Sequence, residues 1–205
     1  MTTGYRIPAN TAQVEIVRVN SRFIAAAGFA STVADAREFI NAQRKLYPDA
    51  AHHVYAFRVG YGNSVQEGMS DDGEPSGTSA PPIMAVLRGS DLGDTVIVVT
   101  RYFGGTKLGT GGLVKAYGDS AKEVLAVLPT EVKIERATYE LIISYAFYGA
   151  ATREIAAFEG EILSEDFAQG ITLTVILPAD QGDAFVATII NRSNGAVTPA
   201  LKARD

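Results

Sequence analysis

Cysteine is absent from this chain of 205 residues, so no disulfide frame, thiol nucleophile or cysteine-based zinc site is available to it. Long apolar runs are missing too: no 18-residue stretch has the character of a membrane-spanning helix. The opening residues Met1-Thr2-Thr3-Gly4-Tyr5-Arg6 lack a signal-peptide core, which sets the expectation of a cytoplasmic protein. Without any internal repeat, collagen-like, coiled-coil and mucin-like architectures fall away. Histidine is scarce, with only His52 and His53. Neighbouring side chains of an extended segment point to opposite faces, so these two do not share a metal. Neither a His-Glu-x-x-His run nor a Gly-x-Ser-x-Gly elbow occurs. What remains is ordinary for a globular protein: 47% hydrophobic residues, enough Val, Ile, Leu and Phe to bury a core and exclude disorder.

Charge is unevenly placed. The formal net charge is -5, but residues 1–134 balance 13 Lys/Arg against 13 Asp/Glu, while residues 135–205 set 5 against 10. A bulk electrostatic drive toward nucleic acid is therefore lacking, and any anion site must be local. Glu67, Asp71, Asp72 and Glu74 form an acidic stretch; Arg101, Lys107, Lys115 and Lys122 face only Asp119 further on.

Hydrophobic periodicity sketches the elements. Strands are expected at Val14–Val19 and Arg22–Ala27, turning at Asn20-Ser21. Thr32 caps a helix ending before Pro48, and Val54–Val59 forms another strand. Thr95–Thr100 is a β-branched run of the kind found in a central strand covered on both faces. A helix is expected over Leu113–Leu128, ended by Pro129. Beyond 134 the order is strand, helix, strand, strand, helix, strand, with Tyr139, Leu141, Ile143 and Tyr145 alternating along the first. Gln169-Gly170 marks a hairpin, Asp180 a helix cap, and Gly195 the start of the last strand. The fold class is α+β in two domains, 1–134 and 135–205, the second suiting a small ferredoxin-like βαββαβ sandwich.

Thirteen of the 20 glycines fall between Gly60 and Gly118, five of them between Gly104 and Gly112. The segment from Arg101 to Leu113 follows a buried strand and opens a helix, the arrangement that turns backbone N–H groups and a helix dipole toward a phosphate. It is not a Walker loop, because Thr110 stands where the lysine belongs, nor a dinucleotide fingerprint, because Val114 replaces the third glycine. Two readings stay open. In one, Arg101, Lys107 and Lys115 hold an anion while Gly104, Gly105, Gly109 and Gly111 let it approach and Tyr102 or Phe103 stacks on a base. In the other, the glycines only let strand and helix pack. The turn from Ser70 to Thr78 also has two readings: Asp71, Asp72 and Glu74 bind a hard cation such as magnesium, or, the favoured version, they accept N–H groups and pair with the lysines of the glycine segment, supporting it. The EF-hand spacing fails there.

These blocks carry a likeness. Ser70-Asp71-Asp72-Gly73-Glu74-Pro75-Ser76-Gly77-Thr78, then Pro82-Ile83, then Arg101 through Gly118, closely resemble the signature of the YigZ/IMPACT family, and His52 with Tyr55-Ala56 fits its histidine segment. The resemblance covers nearly the whole chain. It implies a first domain like the second domain of ribosomal protein S5 and a ferredoxin-like second domain. That pairing is similar to the fourth and fifth domains of elongation factor G. Eukaryotic members carry an extra N-terminal partner-binding domain with no counterpart within this sequence, so their starvation-kinase regulation is not carried over whole. No reaction is established for the family, so the likeness supplies no enzyme, no cofactor and no metal; His52 is expected to be structural.

The leading expectation is thus a cytoplasmic, non-enzymatic binding protein linked to translation, with RNA or a ribosome-associated protein as partner and no membrane contact. The alternatives are a magnesium-assisted nucleotide or phosphate enzyme using Asp71, Asp72 and Glu74, and a pure protein-interaction module.

Overall fold

The computed structural model describes residues 4–62 and 65–204. Among the described residues the chain divides into two compact units, one of residues 5–132 and one of residues 133–204 together with Gly4, so that β1 and β7 below each reach across the boundary at one end. In order, the first contains β1 (Gly4–Pro8), β2 (Ala12–Arg18), β3 (Ser21–Phe29), α1 (Val33–Leu46), β4 (His52–Val59), β5 (Gln66–Ser70), α2 (Ala80–Arg88), β6 (Thr95–Tyr102), α3 (Gly109–Val127) and β7 (Thr130–Ile134). Its main sheet has the order β2-β3-β6-β4-β5, every neighbour antiparallel.

Strand β6 is the centre, as its β-branched composition suggests, and it is covered on both sides. Val96 and Val98 pack with Ala36 and Ile40 of α1, whereas Ile97 and Val99 pack with Ile83, Met84, Leu113, Tyr117 and Val124 of α2 and α3. Period-two alternation therefore sorts one strand into two apolar layers. Helix α1 begins where expected, with Thr32 accepting from the Asp35 amide and Asp35 returning the bond to the Thr32 amide.

Several local expectations move. The β2–β3 turn lies at Val19-Asn20, not Asn20-Ser21: Arg18 pairs with Ser21, and φ is 47° at Val19 and 63° at Asn20. Positive φ at both central residues marks a type I′ turn, whose twist matches that of the flanking strands. Helix α2 is not apparent from the sequence because Pro81 and Pro82 follow Ala80 directly. Prolines in a first helical turn cost little, since the N–H groups they lack have no partner inside the helix. Helix α3 starts at Gly109, four residues before Leu113.

The second unit runs β8 (Arg136–Ile143), α4 (Tyr148–Ala157), β9 (Glu161–Phe167), β10 (Ile171–Pro178), α5 (Gly182–Arg192) and β11 (Ala200–Arg204). Its antiparallel sheet has the order β11-β8-β10-β9, and Tyr139, Leu141, Leu173 and Val175 build a core with Ile155, Phe185 and Ile189. Strand β8 ends at Ile143, leaving Tyr145 exposed in a 3-10 turn. Asp180 also lies in a 3-10 turn (Ala179–Gln181), so it does not cap α5. The last strand begins at Ala200; Gly195 sits in the turn closing α5, its N–H donating to the Ile190 carbonyl (2.8 Å).

Candidate functional site

The acidic turn folds back on itself, and each of its carboxylates meets a donor. Asp71 Oδ1 accepts from the Ser79 and Ala80 amides (3.0 and 2.8 Å) and Oδ2 from the Gly77 amide (2.8 Å). It thereby does for α2 what an N-cap residue does, from nine residues upstream. Burial opposes a charge on Asp71, but the three N–H groups outweigh it and hold the carboxyl below the usual range. Asp72 takes the Arg44 guanidinium on one oxygen (2.8 Å) and the His53 amide on the other (2.7 Å).

Glu74 points inward. Its Oε1 accepts from Arg101 Nη1 (2.6 Å) and from the Tyr117 hydroxyl (2.7 Å), and the Arg101 and Glu74 side chains are only 6% and 3% exposed. Tyr117 is fully buried, and burial first, then donation to Glu74, pushes its phenol far above the ordinary value. The guanidinium lies over the rings of Phe23 and Phe103, 5.4 and 5.5 Å from their centroids. Its Nη2 reaches Ser21 Oγ (3.3 Å), while Nε is buried with no partner among the described residues.

The two histidines face opposite ways. His52 Nδ1 lies 2.8 Å from the Asp72 carbonyl oxygen, which only accepts, so Nδ1 carries the proton. Its Nε2 stands 3.9 Å from Glu74 Oε2, an ion pair only in the imidazolium form. His53, on the α1 side, has Nδ1 3.1 Å from Thr100 Oγ1, and burial pushes it below the usual imidazole value against the pull of Asp72.

Between β6 and α3 the glycine segment comes to the surface. At Gly104 a Cβ would stand 2.1 Å from the backbone carbon of Asn20, so only glycine lets this peptide cross the β2–β3 turn, and its N–H donates to Ser21 Oγ (3.2 Å). Gly105 and Gly109 have φ of 82° and 73°. Gly105, Lys107, Gly109, Gly111 and Lys115 are all exposed, and no side chain caps the start of α3. A cleft of about 340 Å³ opens there, with Glu74 and Arg101 in its wall beside Phe103, Lys107 and Thr110.

Set against the sequence expectations, this geometry requires corrections. Arg101 does not present its charge to a solvent anion; Glu74 neutralises it inside the fold. Nor is Tyr102 placed to stack on a base. It lies on the α1 side of the sheet, its hydroxyl donating to Asp49 (2.8 Å) and its ring under Arg22 (5.3 Å). Asp71, Asp72 and Glu74 diverge to separate donors, and among the described residues no group of three or more His, Asp or Glu is arranged to hold a metal. The acidic turn pairs with Arg101 and Arg44 rather than with the lysines. Sequence reasoning missed Arg44, took Ser21 only as a turn residue, and covered Tyr117 only as part of the helix expected over Leu113–Leu128. An aromatic hydroxyl on an apolar helix face was the available signal, since such a group needs a partner when buried.

The profile of the Impact N-terminal domain matches residues 19–125, a stretch that contains Glu74, Arg101, Tyr117 and the whole glycine segment. This chain belongs to the IMPACT family. A domain of unknown function (DUF1949) matches residues 141–196, within the second unit. The chain is 37% identical over 195 residues to the IMPACT family member YigZ of Escherichia coli, covering 95% of this chain and 96% of that one. It is 35% identical over 198 residues to an IMPACT family member of Haemophilus influenzae, with 96% of each covered. A solved structure described as that of an hypothetical protein shares 36% identity at a TM-score of 0.72, across 99% of this chain and 98% of the other. Among the described residues of this IMPACT family member, no helix is long and apolar enough to cross a membrane.

Proposed function

We propose that this protein is a cytoplasmic, non-enzymatic binding protein linked to translation, and that it meets RNA phosphates through the exposed glycine turn and the lysines around it. The reading combines a domain like the second domain of ribosomal protein S5 over residues 1–134 with a ferredoxin-like domain over 135–205. The strand order β11-β8-β10-β9, with the chain order βαββαβ, supports the second label.

The observation that carries the reading is the start of α3. A 19-residue helix begins at the surface with exposed glycines and no side-chain cap, so its first amides and dipole face outward beside the Lys107 ammonium. Lys115 and Lys122 follow on α3, both exposed and both lining the groove between α2 and α3. Arg101 belongs to the scaffold: its pair with Glu74 fixes the end of β6 from which the turn departs.

Two or three phosphate contacts on a single strand correspond to a log–log salt slope of roughly -1.4 to -2, and so to weak binding. Titration of single-stranded RNA at several salt concentrations tests this. The wild type is expected to show that slope, and Lys107→Ala/Lys115→Ala, which removes two contacts, to flatten it by about 1.4. Equal, salt-independent binding by both proteins overturns the reading.

A further inference from the structure

We infer that the cleft between α1 and the free edge of the main sheet receives an extended, acidic segment of a partner protein, which lies along β5 as a sixth strand. This surface stands apart from the proposed RNA turn: α1 covers one face of the sheet, α2 and α3 the other.

Strand β5 has β4 on one side and no strand on the other. Beyond its ladder with β4, no backbone group of Gln66–Ser70 has a hydrogen-bond partner among the described residues. Such a row of unpaired N–H and C=O groups is a template for another strand. An edge by itself would accept any sequence. The cleft of about 520 Å³ beside this one supplies a preference.

The floor of the cleft is aromatic. Tyr55 and Phe57 lie on the α1 side of β4 with their rings nearly parallel and their centroids 6.4 Å apart. Phe57 pairs with Gly68, where a Cβ would come within 2.3 Å of the ring, so the ring occupies the space in which a β5 side chain would otherwise stand. In the α1 wall Val33 is the apolar end and Arg37, one turn on, the charged end. Arg37 is exposed and has no carboxylate partner among the described residues, and the Tyr55 hydroxyl has no hydrogen-bond partner among them. Glu67, the carboxylate beside the cleft, is held by Arg58 and Arg88. A guanidinium and a hydroxyl with no acceptor of their own are matched by a carboxylate.

The spacing sets the pattern of the occupant. Val33 and Arg37 are about 6 Å apart along α1, and same-face side chains of an extended chain repeat at about 6.8 Å. The segment therefore carries an apolar residue over Phe57 and Val33 and an acidic one two positions away, at Arg37.

Fluorescence anisotropy with the full chain tests this, using the labelled, amidated peptides Ser-Thr-Val-Thr-Glu-Thr-Ser and Ser-Thr-Glu-Thr-Val-Thr-Ser, one for each strand direction. The better peptide is expected to lose about fivefold in affinity when its Glu is replaced by Gln, and Arg37→Glu to cause at least that loss. Arg37 is exposed, so the variant leaves the core alone. Strand pairing has a signature of its own, because alternate amides of the peptide face β5. N-methylation of one alternate set is expected to abolish binding, and of the other set to leave most of it. Neither peptide binding below about 1 mM, equal loss from both methylation patterns, or unchanged binding to Arg37→Glu overturns the inference. A full-chain dimer in sedimentation equilibrium that Arg37→Glu dissociates would give the edge to a second copy and overturn the partner assignment. Loss of the RNA salt slope with peptide binding intact would fell only the RNA reading.

Discussion

Arg101 Nη1 and Glu74 Oε1 stand 2.6 Å apart inside the first unit, and the Tyr117 hydroxyl shares the same carboxylate oxygen. One acidic turn, one strand end and one helix are thereby tied at a single atom. Removing either charged partner strands the other in the interior, so Arg101→Ala and Glu74→Ala are each expected to cost about 3–5 kcal/mol in urea unfolding. Tyr117→Phe removes a neutral donor to a charged acceptor and is expected to cost about 1.5–3 kcal/mol. The apolar double replacement Glu74→Leu/Arg101→Met should recover most of the single-variant loss. Single variants that unfold within about 1 kcal/mol of wild type would mean the pair is not buried in solution.

Asp71 gives the acid limb of stability a specific source. Its folded-state carboxyl titrates below the usual range, held there against burial by three amides. Its contribution is present above the unfolded value of about 3.9 and is lost as pH falls through the lower folded value. Asp71→Asn should therefore be clearly less stable at pH 7, with the gap to wild type closing by pH 2 to 3. Thermal unfolding across that range measures it; a gap that stays constant would remove Asp71 from the account.

His53 acts in a milder window. Burial lowers its folded-state value, so the native state binds fewer protons than the unfolded chain. Stability from this group is complete above about pH 6.5 and declines as pH falls toward the folded value. Asp72, Arg44 and His52 are the charged or titratable neighbours acting on it. His53→Gln should flatten the pH dependence of the urea midpoint between about pH 6.5 and 5, and an unchanged slope would assign that dependence elsewhere.

Two glycines of the same segment should respond oppositely to alanine. At Gly104 a methyl would meet Asn20 and Ser21 backbone at 2.1 to 2.5 Å, so Gly104→Ala must displace the β2–β3 turn or the strand end. At Gly111 a methyl meets nothing within 4 Å, and the position is helical. Gly111→Ala is expected to stabilise by about 0.5–1 kcal/mol, while Gly104→Ala destabilises by more than that. Melting temperatures of the two variants decide the point.

How far the sequence reached depends on which interaction fixed each feature. Where a residue's own type decides, as in the β-branched core of β6, the Thr32 cap or the alternation along β8 as far as Ile143, the reading and the structure agree. Helix α2 escaped because its defining partner, Asp71, lies nine residues upstream, and a helix opening on two prolines looks locally like a loop. Arg101 read as a solvent cation because charge on paper carries no depth. Burial came from its register on β6, facing α3, and from a glutamate 27 positions earlier. Tyr102, its neighbour, was assigned to the same surface although strand geometry sends adjacent side chains apart. The opposed placement of His52 and His53 was legible from that same rule.

Ser21 Oγ receives both the Gly104 amide and the Arg101 guanidinium, so one hydroxyl joins a surface loop to the interior. Exchange of the Gly104 amide proton with solvent should consequently be slow for a loop position and should follow the opening of the ion pair rather than the motion of its exposed neighbours. A single backbone resonance at the rim would then report on the integrity of the charged interior, and on anything that docks beside it.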